Sequence, residues 1–315
     1  MPNNASNAKL APVMTVGEFH QRFGNDQACL AHLKQVRWGE NLENFQCPAC
    51  WSGSGWWLPN RHLVECRHCH QQTSVTAGTV FHRLRTPLWK WFWALYQIAQ
   101  DKKGIAALPL AKQVGVCYTT AWLMLHKLRR AMRQRNERYR LQGLVEVDET
   151  YTGGIAEGKR GRGAENKTPV AVAVELKPDG KPGRIALAAL AHADGHCLKK
   201  FAEKNIAKGS SLRTDGWGAY RRVAKAGFEH EPIKTGSGKA AAQAFPWLHT
   251  FVSNLKRMIG GTYHHVDRKH LDQYLAEFAF RANRRWREAS LFQRIIVAAL
   301  GSKAVPYREL VAGVT

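Results

Sequence analysis

Apolar residues recur along this chain with changing periods, and each change of period marks a new element. Phe19, Phe23, Cys29, Leu30 and Leu33 fall at helical intervals and predict a short helical segment over 16–36. Over about 38–76 the pattern shortens. Trp56, Trp57 and Val64 alternate as short strands would, and a β-branched run from Thr73 to Thr76 closes the stretch. Pro87 then stands at a helix start, and Leu88, Trp91, Phe92, Leu95, Tyr96, Ile98 and Ala99 predict a helix with a wide apolar face.

A helix–turn–helix pattern follows. Ile105 to Val114 reads as a first helix with Ala107, Leu110 and Ala111 inward, Pro109 being tolerated in its first turn. Gly115-Val116 makes the turn. Tyr118 to Arg133 reads as a second helix, with Ala121, Trp122, Leu125 and Leu128 on one side and basic residues on the other. That is the arrangement of a major-groove reader.

From Leu144 the pattern becomes α/β. Strands are expected at 144–148, 169–175 and 184–190, a helix at 196–207, a short strand at 211–214, and helices beyond. This order is that of a ribonuclease-H-like fold. Gly153 to Lys167, rich in Gly, Lys and Arg, reads as a loop touching a phosphate backbone. The expected organisation is a multidomain chain: lead and helix (1–37), zinc ribbon (38–82), helical helix–turn–helix-like region (83–141), catalytic domain (142–290) and C-terminal tail (291–315).

Charge narrows the class of partner. Forty-seven Lys and Arg against twenty-four Asp and Glu leave a formal +23, a surplus suited to phosphates through counterion release and long-range attraction. No run of eighteen apolar residues argues for a membrane span. Double-stranded DNA is the expected partner, with Arg129, Arg130, Arg133, Lys159, Arg160, Arg162, Arg284 and Arg285 as candidate contacts. A cytoplasmic, nucleoid-associated location follows from that expectation.

Four of the seven cysteines form two knuckles, Cys47-Pro-Ala-Cys50 and Cys66-Arg-His-Cys69, fifteen residues apart. Each knuckle presents two thiolates to one metal, and the hairpin between them brings the pairs opposite each other in a tetrahedral zinc site. The odd cysteine count and the lack of a preceding secretory segment disfavour a disulfide framework. Cys29, Cys117 and Cys197 read as small buried hydrophobes.

Candidate catalytic groups lie in the α/β region. Phosphoryl transfer to water or a sugar hydroxyl calls for two divalent cations about 4 Å apart, and hard cations want carboxylate oxygens on a rigid frame. Asp148 is expected to close the first strand and Asp215 the fourth, side chains converging; Glu146 shares the face of Asp148, and Glu149 points away. No carboxylate lies in the helix from Trp247, but His249, Ser253 and Lys256 fall on one face. A neutral imidazole can hold a metal, and the Lys ammonium a phosphate. Asn254, one residue off that face, is an alternative third ligand. The stretch Thr262 to Val266, with His264 and His265, is expected to contact DNA or pack a turn rather than bind metal.

Together these stretches resemble one family: bacterial insertion-sequence transposases with an N-terminal zinc ribbon and a DDE-type catalytic domain, the IS fifteen-ninety-five group. The matching residues are Cys47 to Cys69 with Thr76 to His82, Thr120 to Arg129, Val145 to Gly154, Thr214-Asp215-Gly216, Ser253 to Arg257, Gly261 to His264, and Tyr274 to Arg285. The resemblance implies binding of terminal inverted repeats, release of 3′ hydroxyls by hydrolysis, and joining to target DNA by transesterification. It implies structural Zn²⁺, catalytic Mg²⁺ or Mn²⁺, and a homodimer or higher assembly on DNA. Asp148 and Asp215 match the two family aspartates. The third position, often Glu and seven residues before the family Lys, is His249 here. The alternative reading is an inactive zinc-ribbon, helix–turn–helix regulator derived from such an enzyme.

Overall fold

The computed structural model describes residues 13–153, 167–233 and 244–313. The chain divides into two units: residues 1–101, 107–131 and 284–305, and residues 102–106, 132–283 and 306–315.

The first unit opens with two helices rather than the single expected segment, α1 (Val16–Phe23) and α2 (Asp26–Trp38). The break has a local cause: the Asn25 side chain accepts the Ala28 N–H at 2.9 Å and starts a fresh helix. Thr15 and Glu18 close a capping box on α1. A three-stranded antiparallel sheet follows, β1 (Gly55–Leu58), β2 (Leu63–Cys66) and β3 (Gln72–Ser74), in that order. Next come α3 (Leu88–Gln100), α4 (Ala107–Val114) and α5 (Tyr118–Asn136), the last running on into the second unit's residues.

The helix pair α4–α5 matches expectation; the exposure of α5 does not. Met124, Leu125, His126, Leu128, Arg129, Ala131 and Met132 are all buried. The helix therefore lacks the broad basic outer face that its sequence suggested, and only its first turn, with Tyr118 and Thr119, stays exposed.

The second unit is built on a five-stranded mixed sheet, β4 (Leu144–Thr152), β5 (Thr168–Leu176), β6 (Pro182–Ala189), β7 (Ser211–Thr214) and β8 (Glu229–Pro232). Its spatial order is β6-β5-β4-β7-β8. β4, β5 and β6 pair antiparallel, whereas β7 and β8 add parallel to β4. β8 carries too few apolar residues to announce itself in sequence. One sheet face, with Val145, Val147, Ala171 and Ala173, packs on Leu198, Phe201, Tyr220 and Val223 of helices α6 (Gly195–Asn205) and α7 (Tyr220–Ala224). The other face, with Val170, Val172 and Val174, packs on Phe251, Leu255, Leu271 and Leu275 of α8 (Pro246–Met258) and α9 (Arg268–Ala282). Each such buried aliphatic or aromatic side chain contributes about 1.5–3 kcal/mol.

The expected C-terminal tail is instead a core element of the first unit. Helix α10 (Leu291–Leu300) buries Leu291, Ile295, Ile296, Ala298 and Ala299. Its Phe292 ring lies 5.4 Å from Phe23 and 6.0 Å from Phe92. A run of apolar residues at helical spacing this far along the chain closes a core begun by α1–α3.

Candidate active site

Asp148 and Asp215 owe their placement to the sheet. The parallel ladder between β4 and β7 ends at Glu146↔Arg213. Two residues further along each segment (146 + 2 and 213 + 2) stand Asp148, on β4, and Asp215, just past β7, at matching positions on neighbouring strands about 4.8 Å apart in a regular sheet. Side chains alternate along a strand. Val145 and Leu212 face α6 and α7, so Glu146, Asp148, Arg213 and Asp215 share the opposite face, toward α8.

Asp148 does not close its strand, as the sequence suggested. β4 continues to Thr152 because β5 pairs with it throughout, Asp148 opposite Val172 and Thr152 opposite Thr168. What ends near Asp148 is the pairing with β7, whose last pair is Glu146↔Arg213. Asp215 accepts the Trp217 N–H through Oδ1 at 2.9 Å, a turn that holds it just beyond β7. Asp148 Oδ1 accepts the Glu149 N–H at 2.8 Å.

On the reverse face the Tyr220 hydroxyl donates to Glu149 Oε2 at 2.9 Å. Burial, then the negative charges of Glu149, Asp148 and Asp215, hold the phenol well above its ordinary range. Three acids therefore lie near one buried phenol in a protein of strongly positive net charge.

Glu146 is buried, and its carboxyl is pushed up to about 7, chiefly by that burial, with opposing help from Arg213 and the Leu248 backbone amide. Its Oε2 has no hydrogen-bond partner. The amide contact places Glu146 beside the first turn of α8, the helix that carries His249 and Lys256. Leu248, Phe251, Leu255 and Met258 anchor α8 in the core, leaving His249 half-buried and Ser253 and Lys256 exposed. Asn254, half-buried, is also on this helix. Asp148, Asp215 and His249 do not approach as closely as a preformed metal cluster would: among the described residues, only the four knuckle cysteines do so.

Those cysteines fit a tetrahedral ion well. All four sulfurs lie within 4.8 Å of one another. Cys47 and Cys69 Sγ are 3.6 Å apart and Cys50 and Cys66 Sγ 3.5 Å. Four ligands at the usual zinc–sulfur distance would be about 3.8 Å apart. The knuckle backbone prepares the thiolates: the N–H groups of Cys69 and His68 hold Cys66 down to about 6, and those of Cys50 and Ala49 lower Cys47. None of the seven cysteines forms a disulfide.

The candidate DNA contacts divide. Arg129 is 1% exposed and Arg284 8%. Neither side chain is on the surface, which corrects the expectation for both. Arg130 is half-buried, and Arg133 pairs with Glu137 at 3.2 Å. Arg285 stacks over the exposed Trp286 ring at 4.3 Å. Lys159, Arg160 and Arg162 lie outside the described residues. His264 and His265, expected to contact DNA or pack a turn, are exposed, whereas His270 is buried in α9.

Comparison with protein families defines the class. Residues 24–72 match the transposase zinc-ribbon domain, and residues 140–283 match the ISXO2-like transposase domain. The chain belongs to the zinc-ribbon transposases of the IS1595 type, whose ribbon and DDE domain it carries in that order. Among curated proteins no match is found. Two solved structures show distant likeness, both at 11% identity. The Mos1 strand transfer complex is covered over 65% of this chain and 77% of that one, with a TM-score of 0.22. A pre-cleavage Mos1 transpososome is covered over 68% and 80%, with a TM-score of 0.21. Scores this low bear on neither fold nor mechanism. No helix among the described residues is long and apolar enough to cross a membrane.

Proposed function

We propose that this protein is an insertion-sequence transposase that binds the terminal inverted repeats of its element, cleaves the strand ends and joins them to target DNA. The observation that carries the reading is the placement of Asp148 and Asp215 on one sheet face, two residues past the last β4–β7 pair, within the matched transposase domain.

Asp148 and Asp215 would hold Mg²⁺ or Mn²⁺, with His249 as third ligand and Asn254 as the alternative. Bound there, divalent ions supply stabilisation of the charge developing on the scissile phosphate. The chain's own groups do the rest. Tyr220 and Glu149 brace the reverse side of the carboxylates. Lys256, exposed one turn beyond Ser253, offers a point charge to a phosphate. The knuckle cysteines would hold structural zinc, since four thiolates leave no open position for water. The ribbon, the exposed start of α5, and Arg130, Arg133 and Arg285 are proposed to hold DNA, with at least two copies needed to act on two ends.

The test is a strand-transfer assay with full-length zinc-loaded protein, Mg²⁺ or Mn²⁺, and DNA carrying the ends that flank the gene, beside Asp148→Ala and His249→Ala. Joined products that vanish in Asp148→Ala are the expected result. Specific end binding without cleavage by either protein would favour the regulator reading instead. Full activity in His249→Ala would transfer the third-ligand role to Asn254.

A further inference from the structure

The second unit contains a cavity of about 340 Å³, which the proposed phosphate-holding Lys256 lines at one edge. It opens between the far ends of β4 and β5 and the segment that follows α8, and its rim carries Lys256, Gly260, His264, His265 and Arg268. Its volume falls within the range of small-ligand sites. Among the described residues that line it Asp267 is the one acid, and its Oδ2 lies 3.9 Å from Lys269 Nζ. The rim is thus positive, and suits an anion.

Gly260 and Gly261 sharpen this. They sit in a single π-helical turn, Ile259–Tyr263, an uncommon conformation that recurs at functional sites. Glycine is usually explained by a positive φ or by a neighbour too close for a Cβ. Neither holds here. Both residues lie outside the positive-φ set, and a Cβ at either would meet nothing within 4 Å. Glycine also weakens a helical segment relative to alanine. Nothing among the described residues explains the pair, which points to the third use of glycine, close approach of the backbone to a ligand. His264, next in line, is held at φ 58° and ψ −53°, a conformation that residues with a Cβ rarely adopt and that marks functional segments.

We infer that this turn and cavity receive a DNA strand, its sugar–phosphate backbone lying against Gly260 and Gly261 and its phosphates facing Lys256 and Arg268. The inference rests on the transposase reading and adds a docking surface to it. The strand is either the element's own end or the target, and the two are separable.

The experiment uses full-length protein with Gly260→Leu, Gly261→Leu and the double alanine variant. Four quantities are measured: melting temperature, affinity for duplex DNA carrying an element end, hydrolysis of that end, and joining of a pre-cut end to a plasmid. Melting temperatures are expected to hold or rise, because the new side chains meet open space. Reaction is expected to fall by about tenfold or more in the leucine variants and less with alanine, since a small displacement of substrate is costly. Loss of hydrolysis assigns the strand to the element end; loss of joining alone assigns it to the target. Wild-type affinity and rates in every variant would overturn the inference, as would a fall in melting temperature that tracks the loss. If the unaltered protein shows no Asp148-dependent cleavage, the functional reading fails. The docking surface is then decided by DNA affinity: a loss with unchanged melting supports it and no loss overturns it.

Discussion

The Tyr220 hydroxyl and the Glu149 carboxylate meet at 2.9 Å on the side of the sheet opposite Asp148, so the strand segment that carries Asp148 is held from behind by a neutral donor rather than a cation. Glu149 was expected to point away from Asp148, and this bond is what occupies it. Tyr220→Phe keeps the packing of a ring only 1% exposed and deletes the donor. It is expected to lower stability by about 1 kcal/mol, read as a shift of the urea midpoint. An unchanged midpoint would mean that Glu149 finds an equal partner without it.

Arg129 tests the distinction between basic and DNA-binding. Its guanidinium is buried along with Met124, Leu125 and Leu128 of the same helix. Removing a buried, partnered charge is strongly destabilising, so Arg129→Ala is expected to cost about 3 kcal/mol. The slope of log Kd against log salt for DNA should stay unchanged, because no phosphate contact is lost. A flatter slope at unchanged stability would return Arg129 to the interface.

Zinc removal should act on the ribbon. With four cysteines drawn together and no disulfide between them, the three short strands depend on the ion for their shape. Chelation is expected to release about one zinc per chain and to expose 38–82 to proteolysis, as should Cys66→Ser. Unaltered proteolysis after complete zinc loss would show that the strands stand alone.

His32 provides a pH signature in the first unit. Burial pushes its imidazole below the ordinary value, although a 2.8 Å hydrogen bond to Gln293 works against the shift. The folded state therefore takes up a proton less readily than the unfolded chain. The stability this confers is intact above the unfolded value of about 6.5 and is lost as pH falls through the depressed folded value. Urea midpoints should drop on acidification, and the drop should shrink in His32→Gln. Equal drops in both proteins would assign the acid sensitivity elsewhere.

Much of this molecule was legible in its sequence wherever neighbouring residues carry the chemistry. The two knuckles needed only their internal spacing, and the fold brings all four sulfurs together. The strand–strand–strand–helix–strand order was readable from short apolar runs, and the strands close into a five-stranded mixed sheet. Asp148 and Asp215 stood out because each was expected at the end of a strand.

Tertiary structure decided what depends on distant partners. Asp148 lies inside a long strand, because β5, more than fifteen residues away, pairs with β4 to its end. Arg129 and Arg284 carry charge yet are buried, for a helix's sequence gives its charged side but not what covers it. Residues 291–300 form a core helix rather than a tail, because Phe23 and Phe92 lie across from Phe292. Gly260 and Gly261 could have served any turn; only the folded backbone shows that neither positive φ nor crowding requires them. Local spacing thus determined the metal knuckles and the order of strands. Burial and register, which arise only when remote segments meet, decided which charged groups face solvent and where the carboxylates stand.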